Sequence, residues 1–193
     1  MVNQSIISQA QNHPQYEEHR ADFARWCRQC FYMPWFTTRK FDAAARQAIE
    51  EAVAIAEAGH AGEIRVVIEA HLPLNSALHQ STIGRARDLF ASLGVWDTAH
   101  NSGVLLYVNL CEHRVEIVAD RGINAQIEPL RWQSICQQVT VILSDKLSGH
   151  VKGNAHQQGV ILGVELIGAT LSEFYTILND DQGNELSNAA IFL

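Results

Sequence analysis

The most constraining stretch of the chain is a pair of strands with almost nothing between them. Residues 103–109, GVLLYVN, are nearly unbroken in apolar character. The run is too short for a helix and is bounded by polar loop residues, so it reads as a strand covered on both faces. Residues 114–119, RVEIVA, alternate apolar with polar, as a strand with one covered face does. Only a hairpin turn fits between them. Pairing the strands about that turn returns Asp120 to the neighbourhood of Ser102 and Gly103. Asp97, His100, Asn101, Asp120 and Arg121 are thereby drawn towards one edge of the sheet.

The preceding chain supplies a third strand. Residues 62–71, GEIRVVIEAH, set Ile64, Val66 and Ile68 against Arg65, Val67 and Glu69, and Pro73 closes the run. Between it and the hairpin, Ile83, Ala86, Phe90 and Leu93 keep helical spacing up to Gly94. A strand–helix–strand unit makes a right-handed crossover with parallel strands. Glu63 and Arg65 then open the first strand at the edge that already holds Asp97, Asn101 and Asp120.

Further helices are expected on either side. Residues 41–58 carry Asp42 as N-cap, a stripe of Ile49, Ala52, Val53 and Ala56, and Gly59 as a stop. Pro129 suits the first turn of a helix bearing Leu130, Ile135, Val139 and Leu143, and a last, mostly apolar helix spans about 151–174. Helices over both sheet faces give an α/β fold, a three-layer α/β/α sandwich around a small mixed sheet. An N-terminal extension, 1–40, holds an accessory amphipathic helix over about 15–32, with Tyr16, Phe23, Trp26, Cys27, Cys30 and Phe31 as its apolar stripe. The domain proper is 41–178, and 179–193 reads as a loop-like tail.

With 193 residues and a net charge of −7, the chain offers no electrostatic basis for binding nucleic acid. No segment reads as a signal peptide or a membrane span. Four cysteines are too few for a disulfide framework at this length, and a reducing, cytoplasmic setting is expected. The lone CxxC of Cys27 and Cys30 lacks a second ligand pair for zinc and is expected to pack on the helix's apolar side. Trp96 and Trp132 are also read as packing residues.

Several motifs together resemble the TPM domain family. They are His60-Ala-Gly-Glu-Ile-Arg65, Val95-Trp-Asp-Thr98, His100-Asn101 leading into Gly103-Val-Leu-Leu-Tyr107, and Ile117-Val-Ala-Asp-Arg-Gly-Ile123 followed by Trp132. The resemblance covers roughly 41–175 and is strongest to bacterial members without a transmembrane anchor. Asn184-Glu-Leu186 resembles the tail of some members, and Ser102 stands where the family usually carries Asn. The resemblance implies an α/β/α fold, calcium or another divalent cation as ligand in several members, a phosphatase label, and a link to membranes in many bacterial members.

The residues themselves offer no nucleophilic Cys before a phosphate-cradling Arg loop, no P-loop and no HExxH. Three carboxylates with amide and backbone oxygens suit a hard cation such as Ca2+ better than zinc. Glu63, Asp97, Asn101 and Asp120 are therefore the expected metal ligands. Arg65, His100 and Arg121 could hold a phosphate or support the ligands. Each also has a plainer reading: Asp97 as a turn residue, Asp120 as a strand exit, Glu63 as a paired or solvated side chain. The leading expectation is a cation-binding accessory module. A metal-dependent phosphatase acting on phosphomonoesters is the alternative. A structural partner of a membrane-anchored protein comes third.

Overall fold

The computed structural model describes residues 23–32, 40–144, 154–174 and 185–193. The expectations for Tyr16, for the helix before Phe23 and for the stretch between the last two helices fall outside them.

Helix α1 is Phe23–Phe31, α2 is Ala43–Glu57, β1 is Glu63–Glu69 and α3 is Thr82–Ser92. Then follow β2, Gly103–Asn109, β3, Arg114–Ala119, and the one-turn α4, Arg121–Asn124. Helix α5 is Pro129–Leu143, α6 is Ala155–Phe174, and β4 is Ile191–Phe192.

The sheet order is β3-β2-β1-β4. Strands β1 and β2 run parallel from Glu63↔Gly103 to Glu69↔Asn109, and β2 and β3 run antiparallel from Asn109↔Arg114 to Val104↔Ala119. The crossover and the hairpin are as the sequence leads one to expect. Ile64, Val66, Ile68, Val104, Leu106 and Val108 face one layer, where α2, α5 and α6 supply Ile49, Val53, Val139 and Val164. Val67, Leu105 and Tyr107 face the other, with Ala86 and Leu89 of α3. The period-2 alternation of β1 and β2 thus divides the core between two layers.

Local chemistry sets the ends. The Asp42 side chain accepts from Ala45 N–H at 2.8 Å and Ser81 accepts from Gly84 N–H at 3.1 Å, each relieving an orphan donor of a first turn. Gly103 lets β2 start beneath the α3–β2 loop: a Cβ there would lie 1.9 Å from the Val95 carbonyl oxygen.

Two features differ from expectation. The tail is not all loop, because β4 adds a parallel edge strand to β1, with Leu193 N–H donating to Ile68 O at 3.0 Å and Ala70 N–H to Leu193 O at 2.8 Å. A two-residue strand has no periodicity to read, and its pairing comes from β1's open edge. Helix α1 also docks by an unexpected side. Phe31 is 82% exposed and Cys30 is exposed, while Arg25 and Gln29 are 7% and 1% exposed. The surface beneath offers a carboxylate and backbone carbonyls rather than an apolar groove, so polar side chains face inwards.

Candidate functional site at the amino ends of the parallel strands

The register brings the expected residues to one end of the sheet. Glu63 N–H donates to Ser102 O at 3.1 Å, and Asp120 N–H donates to Gly103 O at 2.9 Å. Both backbones therefore flank the start of β2, from opposite sides. Two strand spacings separate them, about 10 Å, so a shared end is not by itself a shared site.

Asn101 meets the turn that Asp120 opens. Asp120 caps α4: its Oδ1 accepts from Arg121 N–H at 2.5 Å, and its carbonyl accepts from Asn124 N–H at 2.9 Å. Its other carboxylate oxygen, Oδ2, is buried with no hydrogen-bond partner among the described residues. Asn101 sits in the left-handed region at φ 51°, tolerable for Asn. Its carbonyl presses on Gly122, where a Cβ would lie 2.6 Å from the oxygen. The 97–101 loop and the 120–122 turn are thus in contact, and Gly122 is required for that contact.

Asp97 and Trp96 lie exposed on the same loop, Trp96 at 54%, so Trp96 does not serve as a core packing residue. Its ring N–H reaches the Ala91 carbonyl while the indole remains at the surface. Ser102 is buried; its hydroxyl donates to Ala61 O at 2.5 Å and its N–H to Thr98 Oγ1 at 2.9 Å, fastening the entries to β1 and β2 together.

Glu63 turns the other way, towards the tail. Its carboxylate accepts from the N–H groups of Glu185, at 3.4 Å, and Leu186, at 3.1 Å. Burial, and then repulsion from Glu185, pushes its pKa up. Glu185 Oε2 in turn accepts from Ala99 N–H at 2.9 Å, tying the tail to the 97–101 loop. Arg65 donates to the carbonyls of Ser187 and Ala189, so its guanidinium is engaged by the tail. His100 is half-buried, and Arg121 is exposed beside Asp120.

Two groups here were not singled out as ligands. Glu57, at the end of α2, accepts from Ile64 N–H at 2.7 Å and so covers β1's open edge ahead of β4. Burial raises its pKa to about 8, and Glu63 adds to the rise. His60 accepts from Gly62 N–H through Nδ1 at 3.0 Å, which leaves the proton of the neutral ring on Nε2. Burial pulls its pKa down, against backbone groups of Ala56 and Gly168 that oppose the fall, and Nε2 has no well-formed hydrogen bond among the described residues. The position of Glu57, two residues before the Gly59 stop and a short loop ahead of β1, is the signal the sequence offers.

Among the described residues, no three His, Cys, Asp or Glu side chains converge in an arrangement that could hold a metal ion. Any cation at this end would have to take part of its coordination from Asn101, backbone carbonyls and water. Hard cations accept such ligands. The orphaned Oδ2 of Asp120 fits that donor set, because a buried carboxylate oxygen without a donor lacks a positive partner.

A model of the TPM domain family matches residues 37–169. The solved structures include a similar one, the NMR structure of BA42 protein from the psychrophilic bacterium Bizionia argentinensis. It is 26% identical, with a TM-score of 0.64, over 79% of this chain and 95% of that one. No curated protein matches the chain. No helix among the described residues is long and apolar enough to cross a membrane.

Proposed function

The chain belongs to the TPM domain family, and from that premise we propose that it is a divalent-cation-binding accessory module, with Ca2+ as the ion. The ion is held where the 120–122 turn meets the 97–101 loop. Asp120 supplies charge, Asn101 and nearby backbone oxygens supply neutral ligands, and Asp97 is the further carboxylate on the loop. Glu63 supports the site through Glu185 and the tail. The observation that carries this reading is the buried, unpartnered Oδ2 of Asp120.

The physical consequence is an ordering of loops. Few carboxylates and much water imply weak affinity, so occupancy would follow the ambient calcium level. Binding would fix the 97–101 loop against the 120–122 turn, and the Glu185 contact would pass that order to the tail. This suits a module that presents a surface to a membrane-anchored partner in the cytoplasm. The phosphatase alternative calls for a cationic side chain to hold the phosphate; Arg65 is committed to tail carbonyls, which leaves the exposed Arg121 for that role.

A calcium titration followed through backbone amide resonances tests the reading. Saturable shifts confined to residues 97–102 and 120–124, with smaller ones at 185–186, are expected. Amides that stay still to about 10 mM calcium, roughly tenfold above the weak end of protein sites, would remove the cation.

A further inference from the structure

The opposite end of the sheet holds a second set of buried charges. Glu69, 2% exposed at the end of β1, takes both arms of the Arg85 fork, the shorter at 2.7 Å, and the Tyr107 hydroxyl at 2.5 Å. Asn109 donates to the Tyr107 oxygen at 2.9 Å and accepts from Glu112 N–H at 2.9 Å. Cys111 N–H donates to Ala70 O at 3.0 Å. This network fixes the β2–β3 turn, and with it the backbone of Glu112.

A second wall is equally self-supporting. In the turn after Pro73, Ala77 N–H donates to Pro73 O at 2.9 Å and Gln80 N–H to Ser76 O at 2.8 Å. The Ala77 and Gln80 carbonyls are left facing the Glu112 carboxylate across a narrow gap, and Arg25 fills it. Its Nε donates to Glu112 Oε1 at 2.7 Å, and its Nη1 donates to both carbonyls at 3.0 Å. Gln29 donates to the same carboxylate and accepts from Leu72 N–H at 2.9 Å.

We propose that the domain carries a guanidinium-binding site at this end, formed by Glu112 with the Ala77 and Gln80 carbonyls, and that Arg25 occupies it as a tethered ligand. Three observations support the assignment. The two carbonyls and the Glu112 backbone are held by bonds that do not involve α1, while the Glu112 carboxylate itself is met by Arg25, Gln29 and Arg28 of that helix. The carboxylate and the carbonyls are acceptors only, and they engage two nitrogens of the planar guanidinium, Nε on the carboxylate and Nη1 on both carbonyls. The occupant lies outside the family-matched segment, which begins at residue 37. The site would equally take an arginine side chain offered by a partner protein, in exchange for α1.

Chemical rescue tests this on the full chain. In Arg25→Ala, amide exchange over residues 26–32 should speed up by about tenfold or more, as loss of a charge-assisted contact loosens a docked helix. Ethylguanidinium should restore protection saturably, and n-propylammonium at equal ionic strength should not. In Arg25→Ala/Glu112→Gln the rescue should disappear. No rescue by ethylguanidinium, equal rescue by the ammonium, or rescue that persists without the Glu112 charge each overturns the proposal. If Arg25→Ala does not fold, the unmodified chain decides. Ethylguanidinium should then accelerate exchange in 26–32 while β1 and β2 stay protected, and the absence of that selective effect refutes the site.

Discussion

At the scale of single residues, two positions have consequences sharp enough to measure. Gly103 has the Val95 carbonyl 1.9 Å from where a Cβ would stand. Backbone cannot swing aside as a side chain can, so Gly103→Ala should cost at least about 2–3 kcal/mol, the upper range for overpacking. Thermal melting reads this directly, and an unchanged Tm would mean that the α3–β2 loop yields freely. Glu57 gives a pH dependence. Burial, with a smaller push from Glu63, raises its pKa to about 8 in the folded chain from an ordinary value of 4.5. The proton is held more tightly in the native state, so its stabilising contribution is complete below about 4.5 and fades as pH rises towards 8. Glu57→Gln keeps an acceptor for Ile64 N–H and abolishes the titration. The stability of wild type relative to Glu57→Gln, measured in chelator, should therefore fall between these pH values; a flat difference would place the carboxylate in water.

At the scale of elements, the tail is where the fold depends on the last few residues of the chain. Phe192 of β4 lies 5.5 Å from the Phe41 ring, and the Arg46 guanidinium sits 3.9 Å over its face. Lost area, the aromatic pair and the cation–π contact together suggest about 2–3 kcal/mol for Phe192→Ala. Urea denaturation should show that loss, together with faster exchange at Ala70; a cost near zero would make β4 dispensable. The contrast with β2 and β3 explains what a sequence can reveal. Residues 103–109 and 114–119 announce themselves because their own side-chain pattern is the cause of their burial, and the strand bounds agree with the expected ones. Strand β4 has too few residues for a pattern, and α1 inverts the usual one. Its aromatic stripe looked like the docking face, yet what determines docking is Glu112, a residue far along the chain. The ends of the sheet follow the same logic: the crossover rule places Glu63 and Asp120 at one end, but which way Glu63 turns depends on tail amides that no periodicity encodes.

At the scale of the molecule, the two ends of one small sheet carry different electrostatics. At the carboxyl ends, the described carboxylates Glu69 and Glu112 are each matched by a buried or half-buried guanidinium. At the amino ends, Glu57, Glu63 and Asp120 are partly buried and, among the described residues, meet backbone donors alone, with one Asp120 oxygen meeting none. On a chain of net charge −7, that end is where a cation would gain most. A ligand confined to the native state adds RT ln(1 + [L]/Kd), about 2.7 kcal/mol at a hundredfold excess over Kd. For a chain of this size that is a rise in Tm of roughly 5–10 °C, at about 2–4 °C per kcal/mol.

The most direct measurement is a set of melting curves of wild type and Asp120→Asn, in chelator and in millimolar calcium. Asn keeps an acceptor for Arg121 N–H and removes the unmatched charge, so in chelator Asp120→Asn should melt at or above the wild type. Calcium should raise the wild-type Tm by several degrees and leave Asp120→Asn unmoved. A wild type indifferent to calcium, or an Asp120→Asn variant that keeps the full calcium shift, would contradict a cation held at Asp120.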